Sequence, residues 1–151
     1  METEMNYFIE NIFNKSKNQI GNIYLCNTRN RIVNKRTNEI IEDVILYKYG
    51  KTKDIIRRMQ MYSKAYTLIK TWDVNHLSLR EYFIHVDACI KEDRREHSKD
   101  ERDEHVNFNC EDIVDFYCNS KIILEKNRIF IKRKNEEISY DYKVILNILH
   151  M

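Results

Sequence analysis

Hydrophobic residues near the start of the chain follow the spacing of a helix. Between residues 5 and 17 they recur at positions i, i+3, i+4, i+7 and i+8, which places them on one side of a helix. The pattern therefore predicts an N-terminal helix over 5–17. Its predicted apolar face consists of Met5, Phe8, Ile9, Ile12 and Phe13.

Three later segments have the pattern of strands. Ile20–Cys26 and Val44–Tyr49 are predicted to form an antiparallel pair, and Ala65–Val74 is predicted to be a third strand. The segment Thr28–Asp43, between the first two strands, is polar and basic, and it is interpreted as an insertion that could form a small hairpin. These features predict a small antiparallel sheet of about three strands.

Helices are predicted between and after these strands. One covers 53–64, another ends near Ile90 with Asn75 or Ser78 as its N-cap, and a short one covers 110–117. The first of these helices is predicted to turn Ile55, Ile56, Met59 and Tyr62 inward. The second is predicted to bury Leu79, Phe83, Val86 and Ile90.

The C-terminal segment, 120–151, is predicted to be a strand hairpin followed by a helix. Ser120–Leu124 and Arg128–Lys132 have the pattern of strands, and Tyr140–Leu149 has that of an amphipathic helix. Residues 91–105 are almost wholly charged, and we expect either an exposed helical extension or a poorly ordered loop. The predicted fold class is α+β, a small antiparallel sheet flanked by helices.

Length and composition fit a single domain over 1–151. No run approaches about 18 apolar residues, so we expect no membrane span. The N-terminus lacks the basic start and apolar stretch of a signal peptide. The four cysteines have no CxxC spacing and are expected to be reduced, mostly buried thiols of an intracellular protein.

Charge is distributed unevenly, although the net charge is only +2. Residues 28–64 contain ten basic and four acidic residues, whereas 91–112 contain five basic and nine acidic residues. Solvated faces of alternating sign would explain this as well as a binding surface would. The cations nevertheless gather around Gly50-Lys51-Thr52.

The chain has two glycines, Gly21 and Gly50, and each lies beside a predicted strand. A strand that ends at Gly50 and leads into a helix capped by Thr52 or Asp54 brings backbone amides and a helix N-terminus next to several cations. Such a junction suits a phosphate group. It is not a P-loop, because the residue five positions before Gly50 is Ile45 rather than glycine.

Side chains suited to phosphodiester hydrolysis are predicted to lie near this junction. One carboxylate with water and substrate phosphates is enough to hold a hard divalent metal, and arginine can stabilise charge on the phosphate. A tyrosine near cations can act as a base. Glu81 and His85 are four residues apart and share a helix face. The predicted set is Tyr24, Lys48, Lys51, Arg58, Glu81 and His85.

These residues resemble the motifs of the GIY-YIG nuclease superfamily, most closely the T5orf172-type domains of phages and large DNA viruses. The resemblance rests on Gly21-Asn22-Ile23-Tyr24, on Lys48-Tyr49-Gly50-Lys51-Thr52, on Arg58 and Tyr62, and on Glu81-Tyr82-Phe83-Ile84-His85. It covers about Ile20–Phe116. It implies a small antiparallel sheet flanked by helices, one Mg²⁺ or Mn²⁺ ion, and hydrolysis of DNA in the cytoplasm or nucleus of a host cell if the protein is viral.

The resemblance also implies a role for each matching residue. Tyr24 would deprotonate or orient the attacking water, and Arg58 would stabilise the pentacoordinate phosphate. Glu81 would bind the metal, His85 would support Glu81 or the phosphate, and Lys48, at the position of the motif's second tyrosine, would hold a neighbouring phosphate. Further DNA contacts are expected from Lys51, Thr52, Lys53, Arg57 and Tyr62. One site per chain would nick DNA, and a homodimer could cut both strands.

Other interpretations use the same residues differently. The main alternative is a domain that keeps this fold without the reaction and binds nucleic acid or a protein partner. Another is a viral protein that binds only proteins, through the acidic stretch or the C-terminal helix. The histidines and cysteines between 85 and 110 match no common zinc spacing.

Overall fold

The computed structural model of the chain contains two antiparallel sheets and four helices in the residues that it describes. Those residues are 2–33, 37, 39–62, 64, 66–91, 105–126, 128–141 and 143–144. The helices are α1 (Glu2–Ser16), α2 (Ile55–Met61), α3 (Leu77–Lys91) and α4 (Glu111–Asn119). The strands are β1 (Gly21–Val33), β2 (Ile40–Thr52), β3 (Thr67–Val74), β4 (His105–Val106), β5 (Lys121–Glu125), β6 (Arg128–Arg133) and β7 (Glu136–Asp141). The predicted α+β class is confirmed.

The first sheet has the strand order β3-β1-β2-β4, and every neighbouring pair is antiparallel. The predicted pairing of the first two strands is confirmed, with Leu25 opposite Tyr49. The sheet has one strand more than expected because His105 and Val106, which follow the charged stretch, pair with β2. Residues 92–104, most of that stretch, lie outside the described residues.

The second sheet is a meander of β5, β6 and β7. The hairpin of β5 and β6 was predicted, but the helix predicted from Tyr140 is wrong at its start, because Tyr140 and Asp141 belong to β7. The chain turns at Lys134, whose φ is 54°, and returns along β6. Ile138 and Tyr140 then alternate toward the core in the period of a strand. Residues 145–151 lie outside the described part.

The β1–β2 hairpin accounts for most of the predicted insertion at 28–43. Both strands continue into that segment, and Val33 is still paired with Ile40. The register shifts several times between Asn27 and Val33, so the far half of the hairpin is irregular. The insertion is therefore a lengthening of the two predicted strands, with residues 34–36 and 38 outside the described part.

One hydrophobic core joins both sheets to α1, α3 and α4. The rings of Phe83 and Tyr140 stack with their centroids 4.4 Å apart, which connects α3 to β7. Burial of these apolar side chains is the main stabilising term. The core includes Ile9, Phe13, Ile23, Leu25, Tyr49, Trp72, Leu79, Phe83, Ile84, Val114, Tyr117, Ile129 and Ile131.

Three predictions about helix faces are wrong. Ile56 is 71% exposed and Ile90 is 64% exposed, although both were expected to face inward, and Phe8 is exposed as well. Ile56 follows Ile55 by about 100° around α2, and only Ile55 is partly buried. Ile90 lies in the last turn of α3. Periodicity gives the side of a helix but not how far along its axis the rest of the protein covers it.

The start of α3 also differs from the prediction. Neither Asn75 nor Ser78 is its N-cap, because the helix begins at Leu77 and the His76 carbonyl accepts from the Arg80 N–H. Elsewhere, all four cysteines are free and buried, as expected. Among the described residues, no helix is long and apolar enough to cross a membrane.

Candidate active site

The first sheet divides the predicted site residues between its two faces. Directly paired residues project to the same side of an antiparallel sheet, and neighbours along a strand project to opposite sides. Tyr24 pairs with Gly50, and Cys26 pairs with Lys48, so Tyr24, Cys26 and Lys48 lie on one face, which we name the tyrosine face. Lys51 pairs with Ile23 on the opposite, core face.

Helix α2 covers the tyrosine face. The hydroxyl groups of Tyr24 and Tyr62 form a hydrogen bond, and the Sγ of Cys26 lies 3.8 Å from the Sδ of Met59. Tyr24 is only 1% exposed, whereas Tyr62, at the end of α2, is half-buried. Of the two phenols, Tyr62 is therefore the one that solvent can reach.

Two cations complete this face. Lys48 is half-buried, and its charge partly offsets the effect of burial, which raises the pKa of Cys26 to about 11. Arg58 is half-buried in α2 and precedes Tyr62 by four residues, the spacing of side-chain neighbours on a helix. Tyr24, Tyr62, Lys48 and Arg58 thus belong to one side of the sheet.

On the core face, Glu81 lies beside Lys51. The Lys51 Nζ is 3.6 Å from the Glu81 Oε1 and donates to the Ser78 Oγ at 2.9 Å. The Glu81 side chain is 16% exposed and that of Lys51 is 41% exposed. The sequence prediction placed both residues at the site, but not as an ion pair with each other.

His85 has two partners that the sequence did not predict. Its Nδ1 lies 2.6 Å from the Tyr49 hydroxyl, and its Nε2 lies 3.6 Å from the Cys89 Sγ. Tyr49 projects to the core face, as expected from its position next to Lys48. The imidazole therefore joins β2 to α3 through a buried phenol.

At the Gly50 junction, the Thr52 hydroxyl and the Asp54 carboxylate accept backbone N–H groups. Strand β2 continues past Gly50 to Thr52, and the Asp54 carboxylate accepts the Arg57 N–H as the N-cap of α2. The Thr52 hydroxyl accepts from the Asp54 N–H at 3.1 Å and is nearly buried. Lys53 and Arg57 are exposed to solvent.

The donor set for a metal is small. Among the described residues, no group of three or more His, Cys, Asp or Glu side chains could hold an ion. Glu81 fits a site in which one carboxylate is supplemented by water and substrate phosphate, as Mg²⁺ and Mn²⁺ accept. Its carboxylate would have to exchange the Lys51 ammonium group for the ion.

The sequence pattern did not single out Tyr66 or His105 for the site. The Tyr66 ring stacks on that of Tyr62 at 4.7 Å, and its hydroxyl lies 3.3 Å from the His105 Nε2. His105 is directly opposite Lys48 in the β2–β4 pair. Only the pairing of β4 brings this histidine to the tyrosine face, and no local sequence signal predicts that pairing.

Comparison with protein-family models, with curated proteins and with solved structures found no match to this chain.

Proposed function

We propose that this protein is a metal-dependent endonuclease of the GIY-YIG type that hydrolyses phosphodiester bonds of DNA. The observation that carries the proposal is the hydrogen bond between the Tyr24 and Tyr62 hydroxyls on the face that also presents Lys48. Two phenols in contact near cations are suited to accept a proton from water, because one phenol can donate to the phenolate oxygen of the other and stabilise its charge.

The tyrosine pair acts as a unit in this proposal. Tyr62 is the phenol nearer to solvent, so its phenolate oxygen takes the proton from the attacking water. The buried Tyr24 donates a hydrogen bond that holds the charge. Arg58 neutralises charge on the pentacoordinate phosphate, and Lys48 holds a neighbouring phosphate. Tyr24 thereby supports the base without contacting the attacking water, which differs from the role that the resemblance implies for it.

Glu81 is the residue proposed to hold Mg²⁺ or Mn²⁺. Bound there, such an ion would supply Lewis-acid chemistry to a phosphate of the DNA. Lys51 leaves Glu81 and binds a neighbouring phosphate in the DNA complex. His85, held by Tyr49 and Cys89, keeps the same helix in place behind Glu81.

The exposed cations of α2 and the preceding loop are the proposed DNA contacts. Lys53 and Arg57 lie in solvent and are able to reach phosphates. Thr52 contributes to DNA binding indirectly, because its hydroxyl maintains the geometry of the loop that precedes α2. One chain nicks one strand, and cutting both requires a homodimer or a second binding event. Buried free cysteines support an intracellular location, in the cytoplasm or nucleus of a host cell if the protein is viral.

A second candidate is a domain that binds DNA, or a protein partner, without hydrolysing DNA. Two observations favour it. Tyr24 and Lys51 belong to opposite faces of the sheet, and Glu81 is already paired with Lys51. This candidate predicts DNA affinity that falls steeply with salt and does not require Mg²⁺. Equal affinity at low and high salt would count against it.

Nicking of supercoiled plasmid tests the first candidate. Wild-type protein is expected to nick with Mg²⁺ or Mn²⁺ and not with EDTA, and Glu81→Gln is expected to lose about 100-fold or more in rate. Tyr24→Phe and Tyr62→Phe should each lose a comparable factor. Glu136→Gln and Tyr7→Phe, at exposed positions of β7 and α1, are the matched controls and should nick at the wild-type rate.

The outcomes separate the candidates. A Glu81→Gln protein that nicks at the wild-type rate would show that Glu81 does not bind the catalytic metal ion. Absence of nicking with retained, salt-sensitive DNA binding would establish the binding domain. Absence of both would direct attention to protein partners.

A further inference from the structure

Strand β4 consists of two residues with different tasks. Val106 is fully buried in the core, opposite Tyr47. His105 lies opposite Lys48, and directly paired residues of antiparallel strands have Cβ atoms about 5 Å apart on the same face. The short strand therefore uses one side chain as an anchor and presents the other on the tyrosine face.

A continuous series of contacts leads from His105 to Tyr24. The His105 Nε2 is 3.3 Å from the Tyr66 hydroxyl, and the Tyr66 ring stacks on Tyr62 with an interplanar angle of 30°. The Tyr62 hydroxyl bonds to that of Tyr24. Tyr66 immediately precedes β3, and β3 and β4 are the two edges of the sheet. These contacts therefore span the tyrosine face from one edge strand toward the other.

Tyr62 needs such support because α2 holds it weakly. The helix has seven residues and none of them is fully buried. Helices shorter than about 12 residues are marginal without packing. The orientation of Tyr62 at its end therefore depends on the ring of Tyr66 and on Tyr24. Tyr66 in turn is fixed at its hydroxyl by His105.

We propose that His105 is a positioning residue for the catalytic tyrosine pair. It holds the Tyr66 hydroxyl, and through the Tyr66 ring it sets the orientation of Tyr62 relative to Tyr24. This inference rests on the proposed nuclease function and adds to it a residue from the far edge of the sheet. A misplacement of a reacting group by about 1 Å can cost a factor of about 100 in rate, which makes the effect measurable.

Four variants test the proposal by nicking kinetics. His105→Ala is expected to lower kcat by about 10- to 100-fold and to change KM by less than about threefold, because it disturbs orientation rather than DNA binding. Tyr66→Phe is expected to behave similarly. His105→Gln, whose amide can occupy the place of Nε2, should recover kcat to within about fivefold of wild type, whereas His105→Asn, whose amide matches Nδ1, should not.

The double variant His105→Ala, Tyr66→Phe tests whether the two residues act through the same contact. Because both changes break the same contact, the kcat of the double variant should be no lower than the kcat of the less active single variant. Tyr7→Phe is the control for loss of an exposed hydroxyl and should leave kcat unchanged. Additive losses, or a failure of His105→Gln to exceed His105→Asn, would show that the histidine does not act through Tyr66.

A measurement without DNA separates this inference from the nuclease proposal. The ¹³Cζ signal of Tyr24, assigned with Tyr24→Phe, reports the environment of its hydroxyl. His105→Ala should shift this signal and His105→Gln should leave it near the wild-type position. An unmoved Tyr24 signal in His105→Ala overturns the inference even if the protein is a nuclease. An inactive wild-type protein in which the signal moves would instead overturn only the nuclease proposal.

Discussion

The Oγ of Ser16 lies 2.5 Å from the Nδ1 of His76, and this contact joins the end of α1 to the residue before α3. Ser16 donates its own proton to the Phe13 carbonyl at 2.7 Å, so the histidine must donate through Nδ1–H. His76 is buried and stacks near the Phe13 ring at 4.8 Å. Burial of the ring and the positive charges of Arg80 and Lys17 favour the neutral imidazole.

Acid should therefore destabilise the protein through His76. Burial, and then the charges of Arg80 and Lys17, lower its pKa to about 4, against about 6.5 in an unfolded chain. The unfolded state binds the proton more readily than the folded state. The contribution of His76 to the free energy of unfolding is therefore fully present above pH 6.5 and is lost as the pH falls toward 4. The full effect is on the order of 3 kcal/mol.

Urea unfolding of wild type and His76→Asn at several pH values checks this expectation. Asparagine tolerates the left-handed backbone of this position, where φ is 49°, and does not titrate. The stability advantage of wild type should shrink between pH 7 and pH 4.5. An advantage that stays constant over this range would contradict the assignment.

Arg80 should be the most sensitive charged residue for stability. Its buried guanidinium donates to the carbonyls of Asn75, Tyr117 and Ser120, and so ties the start of α3 to the end of α4. Arg80→Met removes these bonds and leaves buried carbonyls without donors, which should cost about 3 kcal/mol or more. Arg57→Met, at an exposed site, is the control and should change the free energy of unfolding by less than about 0.5 kcal/mol. Equal effects of the two changes would refute this role.

Gly21 should tolerate no side chain, because two elements approach it closely. A Cβ at this position would lie 2.7 Å from the Thr52 carbonyl oxygen and 2.8 Å from the Leu77 Cδ2. The φ angle is not positive, so close approach rather than a left-handed backbone excludes other residues. Gly21→Ala should lower the free energy of unfolding by about 1–3 kcal/mol, whereas Ile20→Ala, at an exposed neighbour, should have little effect. A thermal melt of Gly21→Ala that matches wild type would rule the clash out.

The cysteines should react slowly in the folded protein. Burial raises the pKa of Cys26 to about 11 and that of Cys118 to about 12, and the thiolate is the reactive form. At pH 8 a disulfide reagent should modify the native protein about 100-fold more slowly than the protein in guanidinium chloride, which should release four thiols. Fast native modification at any one cysteine would show that its burial is transient.

Elements with strong local patterns were predictable from the sequence. Residues 5–17 carried a five-member helical stripe, and α1 covers them almost entirely. The strand patterns in the first part of β1 and in β5 and β6 were also recognisable. Within the candidate site, spacing alone predicted that Glu81 and His85 share a helix face, whereas the register of β1 and β2 was needed to place Tyr24 and Lys48 on one face of the sheet.

Other features had no local signal. Strand β4 has only two residues, too few to show a periodic pattern. The segment from Tyr140 was predicted to be helical, but Tyr140 and Asp141 pair with β6. The sequence analysis also placed Glu81 in one predicted site with Tyr24. In the structure, Glu81 pairs with Lys51, which lies on the opposite face of the sheet from Tyr24.

The sequence by itself thus determined the α+β class, the order of most helices and strands, and which side chains share a strand or helix face. The tertiary structure decided which faces meet, and with them the Lys51–Glu81 pair, the buried Arg80 and the approach of His105 to Tyr66. Periodicity depends on neighbours within a few residues, whereas these contacts join residues that are about 30 or more positions apart and form only when sheets and helices pack.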